Sequence, residues 1–478
     1  MYDFPREQKA LKKAFNNSDD IIFRPVTSGG KQALFIFADG MIDVKDADFG
    51  VVKPLIAANG AFTPDMEGMK ALFSTVQKIE QHTSRKKFVE TVARGALGLI
   101  IEGGKNYFTL SLHSYPTRSI AEPPTSAVVK GPREGFTEDF KANMVMLRRR
   151  FGSGKLVFKP IVIGRVSKTQ IRICYVKGIA SEALVEKITS KIEAIDIDGV
   201  VDSSEISAFL EERPYSVFKQ VGATEKPDIC AAKLLDGRVA VIVDGSPMVL
   251  TLPFILVEDF HDSEDYYRRP IRTALIRIMR LLGIFFAVLL PATFVALSTL
   301  QYQILPQELM ITILNSTQGI PFTPMTEMLI ALVFFEVLGE ASVRMPRYFG
   351  MAISVVGGII LGETAVSAGV LSSLTVLITA MSSIGLFAIP DEVGAFSVIR
   401  ITLVFVGATL GLLGVVVAAV AMTAYVATLR LYGVDYLTPF APLVPRQLND
   451  AVFKRSKTDS YFRTPFISRN RRRLTYGK

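Results

Sequence analysis

Long apolar runs crowd the stretch from Leu281 to Leu429, whereas before Leu281 apolar residues alternate with charged ones. The runs are 281–300, interrupted by Pro291; 325–343, carrying Glu327, Glu336 and Glu340; 349–370, carrying Glu363; the serine-rich 371–390; and 397–429. About 20 apolar residues suffice to cross the hydrocarbon of a bilayer. The pattern predicts an α/β N-terminal region, cytoplasmic and built of two subdomains, followed by an all-α polytopic membrane domain.

Basic residues predict which way the helices run. Arg268, Arg269, Arg272, Arg277 and Arg280 precede the first run and hold its N-terminal end inside. The loop 301–324 has Glu308 as its single charge, which suits the outside, and Arg344 and Arg347 suit the inside. The basic tail also belongs inside, so the crossings are even in number. The expected arrangement has four crossings, with 371–390 re-entrant or buried in the bundle. Five crossings with an external tail is the alternative. The N-terminus lacks the apolar core of a signal peptide, which keeps the first region in the cytoplasm.

Within that region, polar residues 1–30 read as a flexible lead-in. Subdomain 1 covers 31–112, with a strand ending at Asp39-Gly40, helical patterns over 65–79 and 85–95, and a hairpin around Gly103-Gly104-Lys105-Asn106. Residues 113–137, with Pro116, Pro123, Pro124 and Pro132, read as a proline-rich linker. Subdomain 2 covers 138–267. It opens with a helix over 138–150, pairs strands 156–166 and 170–176, and continues with helices over 181–194 and 203–212. A second hairpin turns at Asp244-Gly245-Ser246-Pro247. The membrane domain is 268–445 and the basic cytoplasmic tail 446–478.

The net charge of +9 gathers at the arginines before Leu281 and in the tail, which includes Arg471, Arg472 and Arg473. Both clusters flank membrane segments, so Arg268, Arg269, Arg272 and Arg471–Arg473 are expected to face anionic lipid headgroups rather than nucleic acid. Two cysteines, Cys174 and Cys230, fit a reducing compartment without demanding a disulfide.

Enzyme signatures fail residue by residue. Phe151-Gly-Ser-Gly-Lys155 has Arg149 and Leu156 where a phosphate loop needs Gly and Ser or Thr. His82, His113 and His261 have no metal-ligand spacing. No nucleophile elbow or dinucleotide fingerprint occurs. No catalysis, cofactor or metal is expected. Gly358/Gly362 and Gly407/Gly411 have the spacing that lets membrane helices approach closely, within one chain more readily than between chains.

Charge inside the apolar runs is the most informative feature. Glu336, Glu340 and Arg344 recur every four residues along one helix face, and Glu363 sits within the next run. Such groups cost about 2.5–3.5 kcal/mol each in hydrocarbon even on lenient scales, so they should face protein or water. Two readings stay open: a packed ion-pair cluster near the cytoplasmic interface, or an ion or solute path.

An ordered series of motifs carries a resemblance. They are Ser114-Tyr-Pro-Thr-Arg-Ser-Ile-Ala-Glu-Pro-Pro124, Lys130-Gly-Pro-Arg-Glu-Gly-Phe136, Leu147-Arg-Arg-Arg150, Lys226-Pro-Asp228, Asp236-Gly-Arg-Val-Ala-Val-Ile-Val-Asp-Gly-Ser-Pro247 and Glu264-Asp-Tyr-Tyr-Arg268. Gly319-Ile-Pro-Phe322, Phe335-Glu336, Glu340-Ala341, Arg344, Pro346 and Tyr432-Gly-Val-Asp-Tyr-Leu437 follow. Over residues 95–445 the chain resembles A subunits of the nutrient germination receptors of spore-forming bacteria, the GerA family. The resemblance implies a non-enzymatic sensor component of the spore inner membrane, assembled with a transporter-like B subunit and a lipoprotein C subunit. It further implies that nutrient binding triggers release of cations and then dipicolinic acid, and that the A subunit forms a homo-oligomer around an ion pore. A paralogous A-like group, encoded beside the dipicolinic acid channel components, shares this architecture. A secondary transporter is the other competitor. Such carriers show ten or more spans and internal repeats more often than four or five spans.

Overall fold

The computed structural model describes residues 4–112, 131–344, 358–359, 362–386, 388–389, 392–443 and 451. The first unit runs α1 (Phe4–Ala14), β1 (Ile21–Ser28), β2 (Lys31–Ala38), α2 (Val44–Ala47), a π-helical turn Asp48–Val52, α3 (Lys53–Ala57), α4 (Met66–Leu72), β3 (Ile79–His82), α5 (Arg85–Ala93), β4 (Leu97–Ile101) and β5 (Tyr107–Leu110). Its five strands lie in the order β1-β2-β4-β5-β3, every neighbouring pair antiparallel. One face packs under α1 and α5, the other under the helices of 44–72. Gly98 in β4 permits the first contact, since a Cβ there would meet the Phe88 ring at 2.6 Å.

The second unit repeats this plan. It runs α6 (Phe140–Arg150), β6 (Leu156–Ile163), β7 (Thr169–Val176), α7 (Glu182–Glu193), α8 (Ser203–Leu210), β8 (Gly222–Thr224), α9 (Pro227–Leu235), β9 (Val239–Val243) and β10 (Val249–Leu252). The order β6-β7-β9-β10-β8 matches the first sheet position for position. Strand β9 shows why two faces form: Val239, Val241 and Val243 join the core beneath α7 and α8, while Ala240 and Ile242 join the core beneath α6 and α9.

From residue 4 onward the lead-in expected over 1–30 is ordered instead, with α1 and β1 in it. Its anchor is Asp20, whose carboxylate takes two 2.7 Å bonds from the Arg148 guanidinium, both groups buried. The Ser18 hydroxyl donates to Asp20 and accepts from the Phe158 amide, which stitches the two units together. A charged residue amid polar sequence reads as solvated until its distant partner is known. Of the linker 113–137, residues 131–137 are described. Phe136 is buried in the second unit and its amide donates to the Glu225 carbonyl at 2.7 Å.

The helical region holds α10 (Pro270–Thr299), α11 (Gln307–Thr317), α12 (Pro324–Arg344), α13 (Ser373–Leu386) and α14 (Val393–Thr428). By length and composition α10 and α14 can each cross a membrane. Helix α13, about 21 Å long, runs back along α10, with Ser382 against Ala287 and Gly385 against Gly283. Its buried face carries Thr375, Thr379 and Ser382.

The single long crossing expected over 397–429 folds back on itself. Gly411 has φ 66° and ψ −161°, a backbone region open essentially to glycine alone. Residues eight apart in a continuous helix are separated by about 12 Å along the axis. Here a Cβ on Gly407 would lie 3.3 Å from Val415 Cγ2, and one on Gly414 would lie 3.2 Å from Val406 Cγ1. The amide of Leu412, freed by the turn, donates to Gln301 Oε1 at 2.7 Å, just beyond the end of α10. The element is therefore a helical hairpin with its tip at the far end of α10. Both its feet return to the second α/β unit: Glu392 lies close enough to Tyr436 to help push that phenol's pKa up, after burial. The return half ends in a small hairpin, β11 (Arg430–Leu431) and β12 (Val434–Asp435).

Candidate functional site

A polar knot ties four helices together, and its origin is Pro291. Proline has no amide to give the carbonyl four residues back. The freed carbonyl of Ala287 accepts a 2.6 Å bond from the Ser382 hydroxyl of α13. Ser382 in turn accepts from Arg400 Nη1 at 2.9 Å, and Arg400 Nη2 lies 2.6 Å from Glu336 Oε1 on α12. Ser397, one turn before Arg400, donates to the same carboxylate oxygen. The Arg400 side chain is 1% exposed and that of Glu336 36%. Ala287 lies about 10 Å along α10 beyond Arg280, well inside the apolar stretch.

This rearranges the expected cluster. Glu340 and Arg344 do pair, at 2.6 Å, but both side chains are exposed, and Glu336 turns away from them to Arg400. Glu363 is exposed, with no part in the knot. Glu327 is buried at the other end of α12, where it accepts from the Ser372 amide at the start of α13. Arg400 escaped sequence reading because it stands alone in a long apolar run. The legible signal was that a solitary arginine there demands an acid on another helix.

The arginines before Leu281 divide. Arg269 and Arg272 are exposed. Arg268 pairs with Glu264 at 2.7 Å. Arg277 and Arg280 converge on the buried Asp265, Arg280 at 2.7 Å, so these two brace the base of α10 instead of meeting lipid. Asp228 accepts from the Tyr267 hydroxyl at 2.7 Å. Arg471, Arg472 and Arg473 lie outside the described residues. Among the described residues no group of His, Cys, Asp and Glu is placed to hold a metal ion.

Below the helices, Tyr432-Gly-Val-Asp-Tyr436 plugs the small β-hairpin into the second unit. Tyr432 and Gly433 both adopt positive φ, 54° and 81°, the conformation of a tight two-residue turn. The Tyr432 hydroxyl donates to the Leu210 carbonyl at 2.5 Å, and its ring lies under Lys187 and Lys191, 4.9 and 5.0 Å from the centroid. Tyr436 donates to the Lys219 carbonyl at 2.8 Å, and its own carbonyl accepts from Leu256.

The family model described as Bacillus/Clostridium GerA spore germination protein matches residues 9–472. The chain belongs to the GerA family. Among GerA-related proteins, it is 32% identical to spore germination protein KA of Bacillus subtilis (strain 168), over 93% of this chain and 82% of that protein. It is 28% identical to stage V sporulation protein AF of the same organism, over 94% and 92%. The crystal structure of the N-terminal domain of the A subunit of the Bacillus megaterium spore germinant receptor GerK3 is similar at TM-score 0.42 and 24% identity. That likeness covers 52% of this chain and 93% of that one. In this GerA-family chain, Arg400 of the interhelical ion pair and the plugged β-hairpin that follows Thr428 sit on one helical hairpin.

Proposed function

We propose that this chain is the A-type membrane subunit of a spore nutrient germinant receptor and converts nutrient binding into ion release. The observation that carries the reading is the plugged hairpin. The α/β region and the Arg400-bearing helices share one helical hairpin, so a tilt of the second unit moves its foot at Tyr432 and with it the bundle. On this reading the α/β units are cytoplasmic, the bundle crosses the spore inner membrane, and Arg269 and Arg272 meet anionic headgroups. The nutrient signal reaches the chain through a transporter-like B subunit and a lipoprotein C subunit. The path taken by ions runs beside Glu336, Glu340, Arg344 and Glu363, with several copies of the chain assembling around it.

The test is Tyr432→Asn. Asparagine tolerates the left-handed backbone, so the turn survives, while the ring under the two lysines and the bond to Leu210 are lost. Spores carrying this variant should contain the protein at the parental level yet release no cations on nutrient addition. Parental release would sink the reading. Reconstituted vesicles separate it from a carrier, because a channel passes ions down-gradient without a coupled substrate.

The similarity to stage V sporulation protein AF favours a second reading, a paralogue serving dipicolinic acid movement. Deletion would then slow dipicolinic acid release under every trigger, not nutrients alone.

A further inference from the structure

We propose that Arg400 is a positioning residue that clamps Glu336 and holds shut the polar seam between α10, α12, α13 and α14, an assignment that rests on the receptor reading above. The seam is built along α13, where Thr375, Thr379 and Ser382 are fully buried. Hydroxyls packed inside an apolar bundle attract water if the helices part. Among the described residues, Thr379 has only the Met328 sulfur, 3.4 Å away, as a partner, so the seam is dry because it is closed rather than because it is apolar.

Arg400 closes it at the end nearer the α/β units. Its guanidinium spans Glu336 on one side and Ser382 on the other, and Ser382 is held by the carbonyl that Pro291 sets free. One planar fork thereby joins α14, α12, α13 and α10. A lysine in its place carries the same charge but lacks the fork geometry. The guanidinium Nε is buried and, among the described residues, meets no hydrogen-bond partner. A buried unpaired donor favours any rearrangement that hydrates it, so the closed state is tight yet poised to open. Arg400 lies on the outgoing half of the helical hairpin, and the return half, packed against it at Gly407 and Val415, leads to Tyr432, so a displaced hairpin foot is felt at this clamp.

The experiment uses the full chain in spore membranes with Thr379→Cys as reporter, because Cys174 and Cys230 are buried in the second α/β unit. The readouts are the rate of labelling by N-ethylmaleimide and the release of cations with and without nutrient. The paired change Glu336→Gln with Arg400→Gln removes both charges, leaving no orphan. It should label at least about tenfold faster than the parent, as a lost coupling between contacting residues implies, and should leak cations without nutrient. Arg400→Lys should fall between the two. Should the paired variant fail to accumulate, Ser382→Ala carries the test. It leaves both charges in place and should raise labelling several-fold, with leak. Parental labelling in whichever variant is read overturns the clamp, and so does faster labelling with release still normal and nutrient-dependent. A deletion strain that germinates normally overturns the receptor reading instead, and the labelling rate still decides whether Arg400 holds the seam.

Discussion

Two residues outside the bundle have roles that only distance reveals. Arg148 and Asp20 are 1% and 3% exposed and bridge the two α/β units. Removing one member of such a pair costs about 3–5 kcal/mol because the other is left charged and buried. Arg148→Ala should therefore lower the thermal midpoint of the detergent-solubilised chain sharply, and adding Asp20→Ala should recover part of the loss. Equal midpoints for Arg148→Ala and the parent would mean that water reaches the pair. His261 gives a pH signature. Burial first, and then the positive charge of Arg277, hold its pKa down to about 4 from 6.5, with partial opposition from Asp265, Glu258 and the bond to the Ala451 carbonyl. The unfolded chain consequently binds an extra proton between these values. Stability should be complete above pH 6.5 and fall as the pH drops toward 4. His261→Asn, which can still donate to Ala451, should flatten that slope in a midpoint-against-pH series.

Among the elements, the β4–β5 and β9–β10 hairpins were legible, because short continuous apolar runs flank turn residues at Gly103-Gly104 and Asp244-Gly245. The edge strands β3 and β8 were not. Ile79–His82 is mostly polar and Gly222–Thr224 is three residues long, and each is a strand only because a partner lies beside it. The fold-back of α14 was hidden for another reason. Gly407 and Gly411 have the spacing of a packing motif, and composition cannot tell a close approach from a break. The structure uses Gly407 for the first, since a Cβ there would lie 2.6 Å from the Ala292 carbonyl oxygen, and Gly411 for the second. Gly411→Ala distinguishes the two by sign. In a continuous helix alanine would stabilise by about 1 kcal/mol. At this turn it should destabilise by about 1–3 kcal/mol, since its Cβ would meet the Gln301 side chain at 2.4 Å. Thermal unfolding in detergent reads the difference directly.

At the scale of the whole molecule, the division into an α/β part and a helical part was plain from where the apolar runs begin. The duplication of the α/β unit was not. Its two copies share strand order and layering, whereas α5 and α9, for example, share little sequence beyond their positions before β4 and β9. The candidate site was half legible. Glu336 stood out, but its partner Arg400 lies 64 residues away. The proposed orientation is open to cysteine labelling in intact cells, with the native thiols buried as a silent background. Asn315→Cys, on an exposed position of α11, should react with an impermeant reagent. Ser74→Cys and Leu443→Cys, both exposed positions, should not. Reaction at 443 would mean an odd number of crossings.

The fold-back at Gly411 has a practical corollary for anyone attaching a reporter to this chain. A straight α14 would leave the chain after Thr428 on the opposite face of the bilayer from its first strand. Because one glycine reverses the direction, the proposed orientation puts residues 4 and 443 in one compartment. Fluorescent or enzymatic fusions at positions flanking the bundle would then give the same answer, and a pair of them could report energy transfer within a single molecule.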